Sequence, residues 1–108
     1  MGDRANVKIG NVYLYTHWGG SDLVDKVRQA LAKKWRWDDE PYLTRIIFCT
    51  MVGRDEFDEE TGFGISTEIC DGEDRIIEID VDNQTVQIGN RKKMSFGEFV
   101  KSSIGWSN

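Results

Sequence analysis

The residues that could most directly do chemistry lie in the sequence VYLYTHWGGSD, which runs from Val12 to Asp22. It contains the only histidine of the chain, His17, and a serine four residues later, Ser21. A histidine beside a serine is the beginning of a nucleophile–base pair, which a hydrolase completes with an orienting acid and an oxyanion hole. Because Ser21 lacks the G-x-S-x-G context of a nucleophile elbow, the pair is an incomplete catalytic constellation.

Anion binding is a second chemistry for the same stretch. Two glycines between a strand and a helix N-terminus expose backbone N–H groups that can cradle an anion, and Ser21 could add its hydroxyl. Against this, Asp22 puts a negative charge where the anion would sit, and neither a P-loop lysine nor a Rossmann glycine pattern is present. A purely structural strand-to-helix turn explains the same residues.

Alternating residue types over 7–18 predict the strand that positions these groups. One face carries Val12, Leu14, Thr16 and Trp18, and the other carries Tyr13, Tyr15 and His17. We expect the apolar face, including Trp18, to lie in the core. Aromatic rows can stack nucleobases, but no basic residues are interleaved with this one. The candidate ligand-binding residues are therefore Tyr13, Tyr15, His17, Trp18, Gly19, Gly20 and Ser21. The segment 7–9 is either a separate short strand or an extension, with a break at Gly10-Asn11.

Helices are predicted on both sides of a polar loop. Apolar residues at spacings of three and four predict a helix over 21–35 with Ser21 as its N-cap. A helix over 41–52 would begin at Pro41, although residues 44–52 also fit a buried strand. Ser95 and Glu98 form a capping box that predicts a last helix, after which the chain end GWSN is expected to fray.

Later strands are predicted over 63–70 and in a hairpin around Asn83-Gln84. With those two residues as the turn, Val81 faces Val86 and Ile79 faces Ile88, although a longer loop is also compatible. Acidic side chains project from one face of the hairpin, namely Glu78, Asp80 and Asp82, with Glu68 expected on a neighbouring strand. Clustered carboxylates can bind Mg²⁺ or Ca²⁺, whereas exposed strand faces are also commonly acidic.

Together these elements predict one layered α+β domain over residues 1–108. It would have a mainly antiparallel sheet of four or five strands with two or three helices packed on it. The chain length of 108 residues suits a single domain.

Charge and cysteine content narrow the function classes. Residues 38–82 carry fifteen Asp and Glu against three Arg, within a chain of net charge −5, so no direct nucleic-acid binding is expected. This acidic segment either meets a partner or only aids solubility. Cys49 and Cys70 are expected to be buried free thiols, and with a single histidine they make no zinc site, so no metal or cofactor is predicted. The absence of a long apolar run or a secretory signal predicts a cytoplasmic protein that does not contact the membrane.

Three stretches carry a resemblance to a known group of proteins. VYLYTHWGGSDL, EPYLTRIIFCTM and ETGFGIS resemble small uncharacterised proteins of bacteriophage and prophage genomes, over roughly residues 11–82. No activity or catalytic residues are established for that family. The resemblance implies an accessory role inside an infected or lysogenic bacterium.

Two functional hypotheses follow. The first is an accessory protein that binds a host protein, a phage protein or a small ligand without catalysis, with self-association into a homo-oligomer left open. The second is a small hydrolase or nucleotide-processing enzyme that uses His17, Ser21, Glu78 and Asp80. It requires the histidine and a carboxylate to converge in one concave pocket.

Overall fold

The fold was analysed in a computed structural model that describes residues 2–53, 62–69 and 75–106. The described residues contain a six-stranded sheet, three α-helices and one short 3₁₀ turn. The strands are β1 (Ala5–Ile9), β2 (Val12–Thr16), β3 (Phe63–Ser66), β4 (Ile76–Asp80), β5 (Thr85–Ile88) and β6 (Met94–Ser95). The 3₁₀ turn is Gly20–Asp22, and the helices are α1 (Leu23–Ala32), α2 (Glu40–Val52) and α3 (Phe96–Lys101).

The spatial order of the strands is β3-β2-β1-β4-β5-β6. Among the described strands, only β1 and β4 pair in parallel, and the other neighbours are antiparallel. The prediction of a mainly antiparallel α+β fold is confirmed, with a strand count slightly higher than the four or five expected. The segment around 7–9 is a separate strand, and Gly10 turns the chain into β2 with a positive φ of 57°.

Residues 44–52 belong to the helix α2, so the alternative prediction of a buried strand there is wrong. Asp39 caps α2, because its side chain accepts a hydrogen bond from the Tyr42 backbone N–H, and Pro41 lies in the first turn. Leu43, Ile47 and Met51 are buried at helical spacing. Cys49 is exposed on the same helix, so its predicted burial is wrong. Cys70 lies outside the described residues.

Buried apolar side chains form one core cluster between the helices and one face of the sheet. The sheet contributes Ala5, Val7, Ile9, Leu14, Ile77, Ile79, Val86 and Ile88. The helices contribute Leu23, Val24, Val27, Ala30, Leu31, Leu43, Ile46, Ile47, Met51, Phe96 and Phe99. Each large side chain buried in this way stabilises the fold by about 1.5–3 kcal/mol. All three helices therefore pack on the same side of the sheet.

The hairpin of β4 and β5 differs from the predicted register by two residues. Ile77 faces Ile88 and Ile79 faces Val86, with a four-residue loop over 81–84. Asp80 stabilises this loop by accepting hydrogen bonds from the backbone and the side chain of Asn83. A shift of two residues leaves every side chain on its predicted face, because strand side chains alternate with a period of two.

The capping box that predicts α3 is confirmed. Ser95 Oγ accepts from the Glu98 N–H at 3.1 Å, and the Glu98 carboxylate accepts from the Ser95 N–H at 3.0 Å. The expected fraying after α3 does not extend to Trp106, whose Nε1–H donates to the Gly20 carbonyl at 2.8 Å. No helix within the described ranges has the length and hydropathy to cross a membrane.

Candidate functional site

The sheet face opposite the helices carries two of the seven candidate ligand-binding residues, Tyr13 and Tyr15. We call it the open face and define it by Lys8, Tyr13, Tyr15, Glu78 and Gln87. The strand register places Lys8 beside both Tyr13 and Glu78, and Glu78 beside Gln87. These side chains are half-buried, apart from the exposed Glu78. The result is a row across four strands that starts with Tyr13 on β2 and continues with Lys8, Glu78 and Gln87.

His17 lies just past the end of β2 and is engaged by neighbours of the open face. Its Nδ1 is 2.8 Å from the Tyr15 hydroxyl and accepts from Arg4 Nε–H at 3.3 Å. Because the arginine N–H can only donate, Nδ1 is the acceptor in the contact with Arg4. The backbone N–H of His17 donates to Gly62 at 2.8 Å. His17 is thus held as part of a Tyr–His–Arg cluster.

Trp18 is not a core residue, and this prediction is wrong. Its side chain is 59% exposed and packs edge-on against the His17 ring, with the ring centroids 4.2 Å apart. The regular strand ends at Thr16, so the alternation that assigned Trp18 to the core face no longer applies. Trp18 instead extends the aromatic cluster of Tyr15 and His17 toward solvent.

The Gly19–Ser21 turn is occupied by an acidic side chain from the N-terminal segment. The Ser21 N–H donates to Asp3 Oδ2 at 2.8 Å, and the Gly20 N–H donates to the Asp3 carbonyl at 2.7 Å. Arg75 donates to Asp3 Oδ1 at 2.5 Å and to Ser21 Oγ at 3.4 Å. The two backbone amides that could receive an anion therefore already bind Asp3.

Ser21 is not the N-cap of α1, which corrects another prediction. Residues 20–22 form the 3₁₀ turn, α1 begins at Leu23, and its cap position, Asp22, makes no side-chain capping hydrogen bond. Gly20 is required in this turn because a Cβ there would lie 2.6 Å from the Asp3 carbonyl oxygen. A close backbone approach, and not an open ligand loop, accounts for this glycine.

The hydrogen bonds from Arg75 and from Ser21 hold the pKa of Asp3 down at about 2, below its ordinary value of 3.8. Arg75 also lies over the Trp106 ring, 5.3 Å from its centroid. The turn is therefore joined to the N-terminal segment, the start of β4 and the C-terminal segment. One network of contacts thus links Asp3, Gly20, Ser21, Arg75 and Trp106.

The predicted carboxylate row is only partly assembled. Glu78 and Asp80 share the open face, and they line a shallow pocket of about 180 Å³ with Lys8 and Glu40. Hydrogen bonds from Asn83 lower the pKa of Asp80. Asp82 lies in the loop after β4, and Glu68 lies beyond the end of β3. Among the described residues no group of three His, Cys, Asp or Glu is arranged to hold a metal ion.

His17 and the carboxylates are on the same side of the sheet but at different ends of it. Thr16 pairs with Ala5, whereas Glu78 pairs with Lys8, three residues further along β1. This corresponds to about 10 Å along the strand and about 10 Å across two strand spacings. His17 follows Thr16 and lies further away still. The geometry therefore does not bring His17 into one pocket with Glu78 or Asp80.

Sequence reasoning did not identify Asp3, Arg4, Arg75 and Trp106 as neighbours of this region. Asp3 and Arg75 are 72 positions apart, and their contact depends on the parallel pairing of β1 with β4. Local spacing carries no signal for such a pair. The charge of Asp3 near a predicted strand is the only trace of it in the sequence.

Comparison with known proteins gives no relative from which residue roles could be transferred. No protein-family model matches the chain, no curated protein matches it, and no solved structure matches its fold. The site must therefore be interpreted from its own geometry.

Proposed function

We propose that this protein acts by binding another protein through the open face of its sheet, and not by catalysis. The observation that carries this proposal is the placement of all three helices on one side of the sheet. The other side presents Tyr13 and Tyr15 together with Lys8, Glu78 and Gln87. Tyrosine beside hydrogen-bonding and charged groups is typical of the surfaces that proteins use to bind each other.

Two features favour a protein partner over a small ligand or a substrate. The row crosses four strands as a broad surface, whereas small-molecule sites are concave and enclose most of their ligand. The polar groups near it are already engaged: His17 Nδ1 contacts Tyr15 and Arg4, and the Ser21 N–H donates to Asp3. Two residues of the hydrolase hypothesis, His17 and Ser21, are therefore already engaged in structural contacts.

The identity of the partner is proposed from the sequence resemblance alone. Similarity to small phage and prophage proteins favours a bacterial host protein or another phage protein, met in the cytoplasm. Lys8 and Glu78 place charges of both signs in the centre of the face. We therefore expect a partner surface with complementary charges opposite Lys8 and Glu78 and an apolar patch that receives Tyr13.

A capture experiment tests the proposal. The wild-type chain, Tyr13→Ala and Gln29→Ala are immobilised and exposed to the same bacterial lysate. Gln29 is exposed on α1, on the helical side of the molecule, so it serves as the matched control. We expect one protein to be retained by the wild type and by Gln29→Ala, and lost by at least tenfold with Tyr13→Ala at unchanged circular dichroism. Equal capture by all three chains, or no capture by the wild type, would refute the proposal.

A further inference from the structure

A second surface of the molecule, unconnected with the open face, has the composition of a binding site. Between the loop that follows α1 and the first turns of α2 lies a groove of about 370 Å³ lined by Trp35, Arg36, Tyr42, Arg45 and Ile46. We call it the Trp35 groove. Trp35 follows the end of α1, whereas Trp18 precedes its start, so a ten-residue helix about 15 Å long lies between them in the chain.

The walls of the Trp35 groove are exposed aromatic rings. Trp35 is 60% exposed and Tyr42 is 50% exposed, whereas Ile46 beneath them is buried in the core. The helix predicted over 21–35 includes Trp35 as its last residue. Because the helix ends at Ala32, the ring instead lies on the surface. Trp, Tyr and Arg are the residue types that most often dominate the binding energy of interfaces.

The backbone holds this surface in an uncommon conformation. Lys34 and Arg36 have φ values of 59° and 58°, in the left-handed region that residues with side chains seldom adopt. They flank Trp35 on both sides. The Arg36 guanidinium lies 4.5 Å from the centroid of the Tyr42 ring, so the strained backbone places a cation over one wall of the groove.

Three cations lie at the groove, although the chain as a whole is acidic. Arg36 and Arg45 line it, and Lys33 Nζ lies 5.3 Å from the centroid of the Trp35 ring. Asp39 caps α2 through one carboxylate oxygen, and its other oxygen lies 3.9 Å from Arg36 Nη1, so Asp39 partly balances that cation. The Glu40 carboxylate lies near Gly10 in the shallow pocket.

From this geometry we propose that the Trp35 groove binds an acidic peptide segment of a partner protein, which inserts one aromatic or aliphatic side chain between Trp35 and Tyr42. The inserted side chain would contact Ile46, while flanking carboxylates would pair with Arg45 and Lys33 and would compete with Asp39 for Arg36. A cationic ligand is disfavoured by these three positive charges. A nucleic acid is disfavoured because the net charge of −5 repels a long polyanion. A short acidic segment with one apolar side chain complements both the cations of the groove and the buried Ile46 at its floor.

Selection from a displayed library of random twelve-residue peptides, with the full chain as bait, tests this proposal. We expect the enriched peptides to share acidic residues around one aromatic or aliphatic residue. A synthetic peptide of the consensus sequence is then titrated against the wild type, Trp35→Ala, Arg45→Glu and Trp18→Ala. Trp18 is the matched control, since it is as exposed as Trp35 but lies at the other end of α1.

We expect Trp35→Ala and Arg45→Glu each to weaken peptide binding by at least tenfold, and Trp18→Ala to change it by less than twofold. Binding to the wild type should also weaken as salt rises from 50 to 500 mM, because exposed charges are screened. The proposal is overturned if no acidic consensus is enriched or if Trp18→Ala is as damaging as Trp35→Ala. Displacement of the peptide by single-stranded oligothymidylate would also overturn it in favour of nucleic-acid binding. Neither result depends on whether Tyr13 binds a partner, so the outcome is separate from that of the open face.

Discussion

Arg75 Nη1 lies 2.5 Å from Asp3 Oδ1, and this contact joins two segments that are 72 positions apart in the chain. The same carboxylate receives the Ser21 N–H on its other oxygen. One side chain therefore fixes the N-terminal segment, the turn before α1 and the start of β4. Asp3 therefore holds the Gly19–Ser21 turn, whose sequence suggested a catalytic site, by hydrogen bonds within the protein.

Removing the Asp3 carboxylate should destabilise the fold measurably. We expect Asp3→Ala to lower the free energy of unfolding by about 1 kcal/mol, because one ion pair and one charged hydrogen bond are lost at a side chain that is 35% exposed. Asp25→Ala is the control, since Asp25 pairs with Arg28 at 2.6 Å but is 73% exposed. Urea denaturation of both variants checks this, and an equal loss in both would contradict a special role for Asp3.

The contribution of Asp3 should also depend on pH in a defined direction. Its pKa is about 2 in the folded chain and near 3.8 in the unfolded chain, so between these values the unfolded chain binds more protons. The stabilisation is therefore complete above about pH 4 and is lost as the pH falls through about 2. Urea titrations of the wild type and Asp3→Asn from pH 5 to pH 2 should show a stability difference that shrinks with acidity. A difference that stays constant over this range would show that Asp3 is not the titrating group.

Gly20 should tolerate no side chain. An alanine Cβ would lie 2.6 Å from the Asp3 backbone oxygen, so the turn and the N-terminal segment would have to separate. We expect Gly20→Ala to cost about 1–3 kcal/mol. Gly64→Ala is the matched control, because a Cβ there meets nothing within 4 Å, and its effect should stay within about 0.5 kcal/mol. Thermal unfolding distinguishes the two, and similar melting temperatures would contradict the close approach.

Two serines that both precede helices should differ in their effect on stability. Ser95 is part of a complete capping box, whereas Ser21 makes no capping hydrogen bond. Ser95→Ala should therefore cost about 1 kcal/mol, and Ser21→Ala less than about 0.5 kcal/mol. Chemical denaturation measures both values. A larger loss for Ser21→Ala would mean that its hydroxyl matters more than the structure indicates.

Much of the fold could be predicted from local patterns, but the arrangement of the sheet could not. Alternation placed Leu14 and Ile79 correctly on the buried face, and the serine–glutamate spacing at Ser95 located α3. β1 was harder to recognise, because its sequence ANVKI mixes Asn and Lys with apolar residues, yet it is paired on both sides, with β2 and β4. Parallel pairing between strands 70 positions apart leaves no local pattern.

The candidate site, like the fold, could be predicted from the sequence only in part. Tyr13 and Tyr15 were correctly placed on one side of β2, because residues of equal parity share a face. His17 lies one residue beyond β2, and its contact with the Tyr15 hydroxyl places it beside them. The prediction for Trp18 was wrong because it lies two residues beyond the last strand residue. Trp35 was misplaced for a similar reason, since α1 stops three residues before it. Element ends depend on long-range contacts, and aromatic residues at those ends are where periodicity gives the wrong environment.

Site-specific photocrosslinking tests the central claim most directly. The photoreactive residue p-benzoylphenylalanine is incorporated at position 13 on the open face or at position 29 on α1, and the chain is irradiated in bacterial lysate. If the open face binds a protein, position 13 should give one covalent adduct of defined mass that excess unmodified chain suppresses, and position 29 should give none. Identical adducts from both positions, or no adduct from position 13, would contradict the account.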